Sequence, residues 1–125
     1  MNGLPTRFFA TGVFLGLIGM FWGIQMSITQ NFTLSPAHAH LNLIGFVAMS
    51  VYGTFYALSP SARGTKIAAL HYWVSVVSIL VFIPGIVMAL KQTSSVGAKL
   101  GSVLVVLSML LFGYNLLKHG IKSRD

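Results

Sequence analysis

Four stretches of about 20 residues, nearly free of charge, constrain this chain more than any other feature. The first is "FFATGVFLGLIGMFWGIQMSIT", residues 8–29. The others cover residues 36–58, 67–90 and 97–117. Each is long enough to cross the hydrocarbon core of a bilayer as a helix. None shows the ten-residue alternation of a membrane β-strand. Only 7% of the 125 residues are charged, against about a quarter in soluble domains. The connections "QNFTLSP", "SPSARGT" and "KQTSSV" are short and rich in turn formers. The expected fold is all-α: an integral membrane four-helix bundle, one domain over residues 1–125. The first stretch is apolar over about 20 residues and lacks a clear small-x-small cleavage site, so a retained helix is expected rather than a cleaved signal.

The cations give an orientation. With four spans, Arg7, Arg63, Lys66, Lys118, Lys122 and Arg124 share one side, and Lys91 and Lys99 the other. The positive-inside rule then predicts the inner (cytoplasmic) membrane, with both termini inside. Cations at the ends of apolar runs do not form a nucleic-acid face, so no nucleic-acid partner is expected. The single acidic residue is Asp125, which removes carboxylate relays, paired-carboxylate hydrolysis and acidic metal cages within one chain. There is no cysteine, so thiolate sites, disulfides and covalent heme attachment are absent too. Any metal or cofactor ligand must be His or Met.

Small residues mark packing faces. Gly12-xxx-Gly16 and Gly19-xxx-Gly23 lie in the first stretch and Gly97-xxx-Gly101 in the fourth. They predict close helix contacts without naming the partner. Pro84 inside the third stretch predicts a kink.

The chemistry concentrates in "LSPAHAHLN", residues 34–42. Ser35 suits a helix N-cap and Pro36 a first turn, so His38 and His40 fall inside the helix. Two residues apart on a helix is a turn of about 200°, so the two rings face nearly opposite ways. They are not expected to share one ion; each should meet its own partner. His38, Asn42, Gly45, Met49, Tyr52 and Tyr56 form one stripe. His40, Ile44, Val47, Val51 and Phe55 form the other, so the helix is expected to be buried on both sides. His38 and His40 lie on the outer, periplasmic or extracellular, side. His71, next to Tyr72 and Trp73, reads as part of an interfacial aromatic belt. His119 reads as a solvated residue in a basic tail.

"AHAHLNLIGFVAMSVYGTFYALSP" followed by "ALHYWVSVVSILVFIPGIVMAL" resembles two consecutive helices of the heme–copper oxidase catalytic subunit, in its C-type oxidase and nitric oxide reductase flavour. The matching positions are His38, His40, Gly45, Phe46, Gly53, Tyr56, His71, Tyr72 and Trp73, across residues 36–90. The resemblance implies that His38 and His40 are axial heme ligands on opposite helix faces. It implies a heme b (iron) cofactor, with copper as a lesser alternative. Asn42, Gly45, Tyr52 and Tyr56 would then line the cofactor side. Lys91 and Lys99, with Gln30 and Asn31, are the outer-side candidates for the propionates.

The departures are as informative. The family subunit has about twelve helices, which three copies of this chain would supply in closed cyclic symmetry. The further histidines of the family's copper site are missing, as are acidic residues for a proton channel. The expectation is therefore a homotrimer in which a heme is held by His38 of one protomer and His40 of another. Two axial imidazoles leave no open position on the iron, which favours electron transfer, with a quinol or a cytochrome as electron partner. The chain reads as a non-catalytic b-type cytochrome; as an enzyme it would be an oxidoreductase of heme–copper type. The competing classes are a non-redox structural or assembly subunit and a metal-binding protein assembled from several copies.

Overall fold

Apolar spans must satisfy their own backbone groups, and coiling does so. The computed structural model describes residues 3–121, and no strand occurs among them. Four helices are long and apolar enough to span a membrane: Leu4–Thr29, Ser35–Leu58, Lys66–Leu90 and Val96–His119. A short helix, Pro60–Arg63, joins the second to the third. Lys122, Arg124 and Asp125, which enter the expected charge balance, lie outside the described residues.

Local chemistry sets the ends. The first helix closes on Gln30 in the left-handed region, at φ 55°. Ser35, expected as a cap, is already the first helical residue; Leu34 precedes it and no side chain caps the turn. The third helix is capped by Thr65, whose hydroxyl oxygen accepts from the Ala68 amide at 3.1 Å. That helix runs on through Pro84, whose ring is exposed.

The glycines meet named partners. In the first helix Gly12, Gly16, Gly19 and Gly23 face Met49, Phe46, Asn42 and His38 of the second. A Cβ on Gly16 would lie 3.1 Å from the Phe46 ring, tighter than ordinary contact, so glycine lets the helices approach without displacing that ring. In the fourth helix Gly97 sits on Gly85 and Gly101 on Phe82, both in the third.

The second helix departs from α geometry. Residues Leu41–Ala48 are π-helical, between α-helical Ser35–His40 and Met49–Leu58. Ala37, Leu41, Gly45, Met49 and Gly53 form one buried row at a spacing of four, and Tyr52, Phe55 and Tyr56 are buried beside it toward the far end. On an α-helix each such step overshoots a full turn by about 40°. The wider π turn absorbs that drift, so one stripe stays on the neighbouring helices. On the opposite stripe Phe55 is buried as expected, but Val47 is 46% and Val51 51% exposed, because no described element covers them.

Candidate functional site

At one end of the second helix, Pro36 sets the first turn and the two histidines follow on diverging faces. His38 turns to the first helix. Its ring meets Trp22 edge-on at 6.3 Å between centroids. A Cβ on Gly23 would lie 2.9 Å from its Cε1 and 3.1 Å from its Nε2. Its Nδ1 is buried and has no hydrogen-bond partner among the described residues. One turn on, Asn42 packs over Gly19 with its Oδ1 likewise buried and unpartnered.

His40 turns to the third helix. Its ring meets Phe82 edge-on at 5.4 Å and 86°. Its Nδ1 lies 2.7 Å from the Pro36 carbonyl oxygen. A carbonyl only accepts, so Nδ1 carries the proton and the neutral ring keeps its lone pair on Nε2. Ring anchoring to a backbone carbonyl is how metal-ligating imidazoles are fixed in tautomer and direction. The donor set thus fits a heme iron at His40 directly. At His38 the ring must first turn off Gly23 for Nε2 to reach an iron. Among the described residues no three His, Cys, Asp or Glu side chains come together to hold a metal ion.

The other cofactor candidates are dispersed. Gly45 packs against Leu15 of the first helix. Tyr52 and Tyr56 lie toward the far end of the second helix, buried around His71, and are not brought to the histidine pair. Lys91 and Lys99 are exposed, on the same end as the pair. Asn31 Oδ1 is taken by its own loop, accepting from the Thr33 amide at 3.1 Å and hydroxyl at 2.7 Å. The Gln30 side-chain amide donates to the Ser27 carbonyl at 2.7 Å.

A second polar site was not anticipated. His71 is fully buried, not part of an interfacial belt, because Phe8, Tyr52, Tyr56 and Phe112 enclose its ring. Its Nδ1 lies 2.8 Å from the Tyr56 hydroxyl, and that hydroxyl accepts from the Asn115 amide at 2.8 Å. The Tyr56 hydroxyl thus joins His71 Nδ1 to Asn115, while His71 Nε2 is buried without a partner among the described residues. Nearby, Ser75 and Ser108 share a hydrogen bond of 2.6 Å between the third and fourth helices. On the first helix, Thr11 bonds the Tyr72 hydroxyl at 2.7 Å. These bonds tie all four helices together at one end, each contributing about 0.6 kcal/mol on average within a membrane. The signal in the sequence was Asn115, a lone amide near the end of an apolar run, which needs a partner where it is buried. His119 is half-buried rather than fully solvated, with Nδ1 3.1 Å from the Ser61 hydroxyl.

No known protein family, no curated protein and no solved structure matches the chain.

Proposed function

We propose that this chain is a membrane b-type heme-binding protein with an electron-transfer role, with His38 and His40 as axial ligands supplied by different protomers of a homotrimer. The observation that carries this reading is the 2.7 Å bond from His40 Nδ1 to the Pro36 carbonyl, which aims a lone pair on Nε2 away from its own backbone. The divergence of the two rings, one toward the first helix and one toward the third, supports two partners rather than one shared ion. When bound, heme supplies one-electron redox chemistry; the chain's part is to hold the iron's axial positions and exclude water around it. We infer from the cation distribution an outer-side location for this site, in the inner membrane.

One observation favours a second reading, a structural or assembly subunit. His38 already packs against Gly23 and Trp22 of its own chain, as a helix-spacing side chain would. The two readings separate on heme titration of the purified full-length chain with its mass measured by light scattering. The heme reading expects saturable binding to a trimer, abolished in His40→Ala and weakened in His38→Ala. A monomer, or binding indifferent to both substitutions, contradicts it.

A further inference from the structure

In the half of the molecule away from the histidine pair the second and fourth helices meet through Tyr52, Phe55 and Phe112 and through the Tyr56–Asn115 bond. Between them lies an open-sided groove of about 460 Å³, walled by Val47, Val51, Phe55 and Leu58 on one side and Phe112 and Leu116 on the other. From Val47 to Leu58 the groove follows the helix for about 16 Å at ~1.5 Å per residue. That is close to half of a hydrocarbon core about 30 Å thick, the depth of one leaflet. A packed helix from a second copy would run the full thickness; an acyl chain would not.

The groove ends at Leu58 and Ile121, and basic residues neighbour both: Arg63 bonds the carbonyl of Ala57, next to Leu58, and His119 is two residues from Ile121. The short helix Pro60–Arg63 crosses from the second helix to the end of the fourth, where Ser61 meets His119. Arg63 sits there with Nη1 donating to the Tyr56 and Ala57 carbonyls at 3.4 and 3.1 Å. Those bonds fix the guanidinium at the helix end. Among the described residues nothing accepts from its Nε or Nη2, which leaves planar donors for a phosphate. Lys66 and Lys118 are exposed at the same end. The chain's only carboxylate side chain is Asp125, so this cluster has almost no internal counter-charge.

We propose that the groove seats one acyl chain of an anionic phospholipid, with its phosphate held at the mouth by Arg63 and His119. This inference is independent of heme. It rests on the match between groove depth and one leaflet and on an arginine fixed by its own backbone beside an apolar slot. The orientation inferred from the cations places the mouth in the cytoplasmic leaflet, where anionic lipids concentrate.

The test is native mass spectrometry of the full-length chain in detergent, with dioleoylphosphatidylglycerol, dioleoylphosphatidylcholine or inorganic phosphate added. Phosphatidylglycerol adducts are expected to exceed phosphatidylcholine adducts about fivefold, the preference one well-placed cation supplies. Arg63→Gln should reduce the preference to near parity, while Arg63→Lys keeps most of it. Val51→Trp, which fills the slot from its open side, should remove the adduct with helical circular dichroism unchanged. Equal occupancy of the two lipids overturns the proposal, as does indifference to Arg63→Gln. Phosphate alone binding through Arg63, with Val51→Trp silent, overturns it in favour of a free-anion site. A change in oligomer mass in Val51→Trp with lipid adducts unchanged overturns it in favour of a second copy.

Discussion

The contact between the third and fourth helices makes a prediction whose sign depends on the structure. Replacing a helical glycine by alanine ordinarily stabilises by about 1 kcal/mol. At Gly85 a Cβ would lie 2.7 Å from the Gly97 carbonyl oxygen, far inside ordinary contact. The obstacle is backbone (the Gly97 carbonyl carbon and the Ala98 amide lie closer still), so no rotamer change relieves it, and the helices must part by about an ångström. Overpacking of that kind costs about 1–3 kcal/mol. Gly85→Ala is therefore expected to lose about 1 kcal/mol net, with a larger loss if Phe82 also leaves its seat on Gly101. Gly113, on the same fourth helix, has nothing within 4 Å of its Cβ position, so Gly113→Ala should gain up to about 1 kcal/mol. Reversible unfolding of the full-length chain in detergent micelles, followed by far-ultraviolet circular dichroism, gives both values. Gly85→Ala proving as stable as Gly113→Ala would refute the packing account.

Three further outcomes follow from the same geometry. Tyr56→Phe strips partners from both His71 Nδ1 and the Asn115 amide and should destabilise by about 1–3 kcal/mol in the same unfolding assay. Ser108→Ala breaks a single interhelical bond and should cost about 0.6 kcal/mol, so the reverse ranking contradicts the role of the buried trio. Gly23→Ala displaces the unliganded His38 ring, whose Cε1 would be 2.9 Å from the new Cβ, and so favours the turned-out ring that ligation needs. Heme titration should show binding at least as tight as in the parent chain, whereas weakened binding speaks against His38 as a ligand.

Much of the helical architecture was legible because length and apolarity alone decide what can span a bilayer. The glycines of the first helix were legible as a packing face, yet spacing cannot name a partner. Only the assembled structure shows Gly23 under His38 and Gly19 under Asn42. A fixed 100° per residue hides the π-helical segment. It also puts His38 and Asn42 at the head of a fully buried face, which Ala37 and Leu41 occupy instead. His71 was misread because Tyr72 and Trp73 beside it suggested an interface. Its burial depends on Phe8 and Phe112, contributed by the first and fourth helices, far away in sequence. The divergence of His38 and His40 followed from their spacing of two, and the rings do meet different helices.

The central claim is that His40 presents a ligating nitrogen to a heme iron. The most direct measurement is a dithionite-reduced minus oxidised difference spectrum of the purified, heme-supplied chain beside its His40→Ala variant. The account predicts sharp α and Soret bands of a six-coordinate b-type heme in the first and their loss in the second. A colourless protein after heme supply, or identical bands in both, would contradict it.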